Sequence, residues 1–411
     1  MKSVVIVGGG VVGLAIAAGF ARKGIQVTVV EKSGVGSGCS YGNAGWMTPC
    51  FAMPLPRPGM ILKSLGWMMD PSGPLYIQPR ASLDLLMWLS RFLLSTGEKN
   101  MRRSAEALIG LSKVSLQEYE RLNQKWHSFG FEKRGLLMVS KTQAGIHSAR
   151  AEMNLVSEFQ IPGRALSADE VRSLEPAVTG DVLGGVYFPD EAHGEPLAVV
   201  ETLRKEAESF GAKVLENTAV LSFEVSRDRV VSVHTSKGVL SAENFVLATG
   251  TWSKELARQL RLRVPILGGK GYSMILPKLN RQPKIPLMFI ERKIGITPRA
   301  DSLRLAGTLE LVDQDFSVTK TRVQAILKGA SEVLEIPQPV QVSETWCGLR
   351  PCTPDGVPLL GWSPKQKNLL LACGHQMLGL QSATGSARWL SDLIEGVARK
   401  DDIQTFNPGR F

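Results

Sequence analysis

Met1 to Glu31 constrains the fold more than any other stretch. Val4-Val5-Ile6-Val7 is a short apolar run that suits a strand buried in a parallel sheet. Gly8, Gly10 and Gly13 follow it in the spacing G-x-G-x-x-G. The first glycine permits the tight turn, the second lets backbone approach a pyrophosphate, and the third lets the helix pack closely on its strand. Val11 and Val12 open a helix of small apolar residues. Its first N–H groups and positive dipole end would face the phosphates. Gly24 suits the end of that helix. Val27 to Val30 is a second β-branched strand. Glu31, eighteen residues after Gly13, stands where a carboxylate accepts hydrogen bonds from ribose hydroxyls, and Lys32 follows it. Strand, turn, helix, strand and acidic terminus in that order predict a dinucleotide-binding βαβ unit. The bland alternative is a secretory signal peptide, because Lys2 precedes an apolar run. Glycines interrupt that run, and the second strand continues the nucleotide pattern.

The chain has 411 residues, enough for two domains with separate cores. Lysine and arginine number 48 against 38 aspartates and glutamates, a net charge of +10. That excess suits anionic lipid, nucleic acid or carboxylate ligands. No arginine-rich run or zinc spacing supports nucleic-acid binding, so neither nucleic acid nor metal is expected. Cys39, Cys50, Cys347, Cys352 and Cys373 are scattered, the pattern of reduced thiols in a cytoplasmic protein. No uninterrupted apolar stretch has the length to span a bilayer.

Gly34 to Trp46 is rich in glycine and small polar residues. It reads as a loop that lays backbone N–H groups on a cofactor, or as a surface loop. Pro49 to Pro79 is irregular, with an apolar segment from Met60 to Met69 inside it. Leu83 to Leu94 is apolar nearly all round. It reads as a core helix, or as a helix lying in a membrane surface with Trp88 inserted and Arg80 and Arg91 at the headgroups. Helices are expected over 102–129, 196–210 and 318–334. Strands are expected at 136–140, 184–188, 214–221, 230–235 and 245–250, with a further β region from Lys270 to Gly307. Trp346 to Pro358 reads as a special loop. Leu369 to Cys373 reads as a last buried strand, turning through Gly374 and His375 into a helix to about Val397.

Six marks coincide along the chain: the Gly8-x-Gly10-x-x-Gly13 turn with Glu31; Ser40-Tyr41-Gly42-Asn43-Ala44-Gly45-Trp46; Val246-Leu247-Ala248-Thr249-Gly250; Lys270-Gly271-Tyr272-Ser273; Gly348-Leu349-Arg350-Pro351-Cys352-Thr353-Pro354-Asp355-Gly356; and Gly374-His375-x-x-Leu378-Gly379. Together they resemble the FAD-dependent amine oxidoreductases of the D-amino-acid oxidase superfamily, and most nearly the bacterial D-amino-acid dehydrogenases. The resemblance implies an α/β fold. A Rossmann-like FAD-binding domain of the glutathione-reductase type would comprise residues 1–80, 193–264 and 346–411. An α+β substrate domain on an antiparallel or mixed sheet would comprise 81–192 and 265–345.

The resemblance also implies roles. Arg350 would anchor the substrate carboxylate through its guanidinium fork, or else pair with a structural carboxylate such as Asp355. Glycine oxidases carry a second arginine where this chain has Met377, so Tyr272, Tyr41 or His375 is left to supply the second contact. His193 is a further pocket candidate. Val220, Thr249, Gly250, Trp252, Gly348, Gly374, Leu378, Gly379 and Leu380 join the glycine turn and the Ser40–Gly45 stretch as cofactor contacts. FAD would be held non-covalently, because Cys347 stands one position off the spacing of flavin-linked sarcosine oxidases and Cys352 lies too close. The implied reaction moves a hydride from Cα of a neutral D-amino acid to the flavin, leaving an imine that water converts to a 2-oxo acid and ammonia. Electrons would pass to a quinone or another respiratory acceptor, with peripheral contact to the inner face of the membrane. An oxygen-using oxidase or a dehydrogenase of glycine-, sarcosine- or hydroxyproline-type substrates is the alternative among enzymes. A non-catalytic flavin-binding subunit is the alternative outside them. Oligomeric state stays open.

Overall fold

The computed structural model describes residues 1–59, 73–78, 80–398 and 400–411, with the side chains of 400–402 left aside. The apolar segment Met60–Met69 lies outside the described residues. Among those described, the helices are α1 Val11–Arg22, α2 Leu83–Leu94, α3 Glu98–Trp126, α4 Gln143–Ser157, α5 Ala168–Leu174, α6 Pro196–Ser209, α7 Ser253–Gln259, α8 Lys320–Ala330, α9 Gly379–Ile394 and α10 Lys400–Phe406.

One six-stranded sheet carries the βαβ unit. Its order is β19 (Leu359–Trp362), β20 (Leu369–Cys373), β13 (Asn244–Leu247), β1 (Ser3–Val7), β2 (Gln26–Val30) and β9 (Lys213–Leu215), parallel except for β19. A parallel sheet needs cover on both faces. Helices α1, α6 and α9 cover one. A three-stranded meander, β10 (Val220–Ser226), β11 (Arg229–Thr235) and β12 (Gly238–Ser241), packs Val230 and Val233 against the other. Helix α1 lies close on α9, where a Cβ on Gly19 would stand 3.5 Å from the Ala387 Cβ. Helix α3 crosses α9 at Gly385, where a Cβ would meet the Leu111 carbonyl at 2.1 Å.

The larger sheet is mostly antiparallel. It runs β18 (Glu344–Cys352), β14 (Leu267–Pro277), β17 (Ser302–Val312), β16 (Ile294–Pro298), β15 (Leu287–Phe289), β5 (Leu136–Ser140), β7 (Gly184–Phe188) and β6 (Arg164–Ser167), with β4 (Leu75–Ile77) pairing to β17. Strand β3 (Trp46–Met47) pairs with β8 (Ala192–His193). The mixed α/β class is as the sequence predicts. The boundary expected at residue 346 falls inside β18.

Several elements differ from the sequence reading. Trp346 to Cys352 belongs to strand β18, not to a loop: Leu267 to Ile275 of β14 pairs with it residue for residue. Gly348 and Pro351 mask the local strand signal, and β18 sits at the sheet edge, where a proline without an N–H is tolerated. The single strand expected over 214–221 is two strands in different sheets, β9 and β10. The helix expected over 318–334 is confined to Lys320–Ala330, and the last helix ends at Ile394. The helix expected over 102–129 starts earlier and stops at Trp126, because His127 takes a left-handed φ of 46°.

Candidate functional site

A cavity of about 1220 Å³ opens at the carboxyl ends of β1, β2 and β13 and extends to the face of β14, β17 and β18. Ligand crevices of parallel sheets lie at this place. The volume exceeds the roughly 300–1,000 Å³ of a drug-sized pocket, room for more than one small molecule.

The glycine turn forms the floor at one end. Gly8 has φ 110°, and a Cβ there would meet the Ala248 carbonyl at 2.5 Å. A Cβ on Gly13 would stand 2.0 Å from the Gly8 carbonyl, so Gly13 packs helix on strand and does not itself line the cavity. Ser40 Oγ accepts the Val11 N–H at 3.0 Å. That leaves the Val12 and Gly13 N–H groups at the start of α1 without an acceptor among the described residues. Glu31 lines the cavity, but its carboxylate already accepts Gly9 N–H at 2.8 Å and Ser33 N–H at 3.0 Å. Its second lone pairs are what remain for a ribose.

Beyond Glu31, the Lys32 ammonium stands 3.5 Å from the centroid of the Trp252 ring, and Trp252 stacks on Phe316 at 5.9 Å and 16°. Burial lowers the Lys32 pKa, against the raising charges of Glu31 and Glu255. Val220, Thr249 and Gly250 complete this end. Gly42, Asn43 and Ala44 line the middle, with Asn43 Oδ1 accepting the Gly45 N–H at 2.9 Å. Gly45 lies outside the wall. Its φ is 76°, and a Cβ there would meet the Gly194 carbonyl at 2.2 Å.

Arg350 projects from β18 across Gly271 of β14 to β17. Its Nη1 donates to the Thr308 carbonyl at 2.8 Å and toward the Gly269 carbonyl at 3.5 Å. A Cβ on Gly271 would stand 2.1 Å from that Nη1, so the guanidinium lies in a slot that only glycine leaves. Thr308 holds a left-handed φ of 65° at a bulge between Lys270 and Tyr272 of β14. For a β-branched residue this costs on the order of 1–3 kcal/mol, strain of a kind that clusters at ligand clamps and active sites. Arg350 forms no ion pair among the described residues. Asp355, the structural partner considered above, is instead bound by Arg410 at 2.7 and 3.1 Å.

The three residues considered for a second contact fare differently. The Tyr272 ring lines the cavity, but its hydroxyl donates to Glu310 at 2.5 Å and meets Thr319 Oγ1 at 3.1 Å. Burial and Glu310 both raise its pKa. With Lys270, which donates to Asp315 at 2.8 Å, it pins the 313–319 loop that carries Phe316. The Asp315 carboxyl is held down at about 2, chiefly by Lys270. Tyr41 lies outside the cavity wall. The charge of nearby Glu344 raises its pKa, and its ring stands 6.5 Å from Trp346. His375 contributes to the strand-to-helix turn, but its Nε2 is bonded to Ser386 Oγ at 3.0 Å on α9, and burial pushes its pKa down to about 3. It is a neutral structural imidazole. His193 is buried on β8, beside Trp46 and outside the wall.

Gly374 (φ 83°), Leu378, Gly379 and Leu380 line the cavity at the turn into α9. Met377 lines it too, 41% exposed, so the second-arginine position offers no charge. Cys39 and Cys347 line the cavity with thiols that burial pushes up to about 11; Cys352 is buried outside it at about 12. Such thiols stay protonated and are weak nucleophiles.

Sequence reasoning missed Trp346, Thr308 and the apolar arm formed by Leu75, Ile77, Trp88, Leu89, Phe92 and Leu93. The alternation Trp346, Gly348, Arg350 on one strand face was the available signal, hidden once the stretch is read as a loop.

A family model described as FAD dependent oxidoreductase matches residues 3–393. A D-amino acid dehydrogenase of Methylobacterium radiotolerans is 31% identical over 416 residues, covering 99% of each chain. One of Paramagnetospirillum magneticum is 33% identical over 401 residues, covering 96% of this chain and 95% of its own. Among solved structures, glycine oxidase from Geobacillus kaustophilus has a TM-score of 0.79 at 21% identity, covering 100% of both chains. L-proline dehydrogenase from P. horikoshii has a TM-score of 0.79 at 19% identity, covering 100% of this chain and 97% of its own. The glycine cradle, the cavity and a family match over nearly the whole length agree: the chain belongs to the FAD-dependent oxidoreductases.

Proposed function

We propose that this chain dehydrogenates D-amino acids, anchoring the substrate carboxylate on Arg350 and delivering the electrons to a lipid-soluble quinone at a membrane surface. The observation that carries the reading is Arg350 itself. It is a guanidinium in the cavity, fixed through Nη1 by two carbonyl oxygens, with Nε and Nη2 free of protein acceptors among the described residues. A fork in that state pairs with a carboxylate and fixes its orientation.

FAD fits the other end of the cavity. The Val12 N–H at the start of α1 would take the pyrophosphate, Glu31 the ribose, and Lys32 with Trp252 would flank the adenine end. The high thiol pKa values support a non-covalent cofactor. When bound, FAD supplies the two-electron acceptor. The chain's own part is positioning. Arg350 orients the amino acid, and the wall from Gly271 to Thr308 keeps the guanidinium in place. His375, neutral and turned to Ser386, takes no proton. The amine reacts neutral, because its lone pair is what drives hydride loss from Cα. The imine product hydrolyses in water to a 2-oxo acid and ammonia.

The apolar arm supports the quinone reading. Leu93 of α2 lines the cavity and is also half exposed, so the cavity meets the surface beside a helix face of leucines. No helix among the described residues is long and apolar enough to cross a membrane. The test is anaerobic mixing of the yellow protein with a panel of D-amino acids, read as loss of flavin absorbance. Bleaching by D-amino acids and reoxidation by a quinone are expected, with little hydrogen peroxide under air. Flavin that no amino acid bleaches would overturn the reading in favour of a non-catalytic subunit. Stoichiometric peroxide would make it an oxidase.

A further inference from the structure

We propose that Trp346 is the specificity-determining wall of the substrate pocket, setting how large a side chain the carboxylate-anchored amino acid can carry. The inference rests on Arg350 as the carboxylate anchor. Trp346 and Arg350 stand four residues apart on β18, so they share one face of the strand. Gly348 lies between them on that face. The Trp346 indole folds over Gly348: a Cβ there would stand 2.0 Å from the indole Cη2 and 2.4 Å from Cζ2. On its other side the indole lies against Gly42, where a Cβ would meet Cδ2 at 2.2 Å. The ring is thus clasped between two positions that have no side chain.

Gly348 pairs in register with Gly271, the residue over which the Arg350 guanidinium lies. Neighbouring strands run about 4.8 Å apart. The ring edge and the guanidinium therefore stand over adjacent bare positions of one sheet face, and Trp346, Gly348, Gly271 and Arg350 all line the cavity. A carboxylate held by Arg350 brings its own Cα substituents against the indole edge. Trp346 Nε1 donates to no acceptor among the described residues, and the ring, set against the two glycines with the Tyr41 ring 6.5 Å away, lines the cavity.

The test compares wild type with Trp346→Ala and Trp346→Phe as FAD-loaded enzymes. Relative kcat/KM is measured for D-phenylalanine against D-alanine. Affinity for phenylacetate against acetate is measured separately, from perturbation of the flavin spectrum without turnover. A pocket wall worth a few methylenes discriminates by about tenfold or more. Trp346→Ala should shift both ratios toward the bulky ligand by at least about that factor, with FAD content unchanged and Trp346→Phe in between. A merely structural tryptophan would lower all rates together and leave both ratios alone. Ratios within about twofold of wild type in the variants overturn the proposal. If the alanine variant does not fold, the phenylalanine variant decides by the same ratios. If no D-amino acid is oxidised but the carboxylate ratio shifts, the substrate reading fails and the wall stands. If neither carboxylate perturbs the wild-type flavin, the anchor and the wall fall together.

Discussion

Arg350 is a half-buried charge that forms no ion pair among the described residues. Its Nη1 is held by the carbonyls of Thr308 and Gly269, neutral acceptors that orient the group without neutralising it. The strained Thr308 and the bare Gly271 are what that arrangement requires. Lysine at this position keeps the charge but loses the fork. Both Arg350→Lys and Arg350→Ala should keep FAD and lose turnover, alanine more. Removing a hydrogen-bonded charged contact costs on the order of 2–5 kcal/mol, roughly thirtyfold to several thousandfold. Steady-state kinetics with the best D-amino acid, beside the flavin-to-protein absorbance ratio, checks this; near-normal turnover of the alanine variant removes Arg350 from the site. At this scale the sequence was readable where a motif sets the backbone, as at Gly8 and Gly13, and the motif residue Arg350 does line the cavity. It misled where a motif residue has a private partner. Tyr272 is taken by Glu310 and His375 by Ser386, and each partner is eleven or more residues away in sequence.

Among the elements, α2 is where a sequence alternative is resolved by its sides. Ser82 caps it, and its bounds, Leu83–Leu94, are as the apolar run predicts. Trp88 points inward, its Nε1 donating to the Cys352 carbonyl at 3.1 Å and its ring stacked on Phe92. It is therefore not the inserting residue expected from the sequence. Leu83, Leu86 and Leu94 face out, 77%, 63% and 79% exposed, with Met87 and Leu93 beside them. A stripe of that kind on a basic protein suits shallow insertion at an anionic surface. The holoenzyme should co-sediment with anionic vesicles at low salt, and Leu86→Glu with Leu94→Glu should release it while FAD stays bound. A protein that ignores such vesicles at low salt would show that α2 serves another purpose. The same scale explains the misread β18. Its strand character comes from nine residue pairs with β14, a long-range partnership that local composition does not record.

For the whole molecule, the cavity is shared between a parallel sheet and a mostly antiparallel one, so a bound dinucleotide would touch both. Ligand that binds only the folded state stabilises it by about 2.7 kcal/mol at a hundredfold excess over Kd. Stripping FAD should therefore lower Tm in calorimetry, and adding FAD back should restore it in a concentration-dependent way; a Tm indifferent to FAD would mean that the cradle does not hold it. The sequence by itself determined the βαβ unit, because strand, turn glycines, helix and acidic terminus are local features whose physics lies within Met1 to Glu31. It also determined most helix and strand positions, such as Leu136–Ser140, Gly184–Phe188 and Ile294–Pro298, through periodicity and turn residues. Only the tertiary structure decided that Arg350 forms no ion pair among the described residues while Asp355 belongs to Arg410, that Lys270 and Tyr272 tie down a loop, and that Trp346 rests against Gly42. Those are contacts across dozens to hundreds of residues, set by strand register and by which positions lack a Cβ, and neither is written in any local stretch of chain.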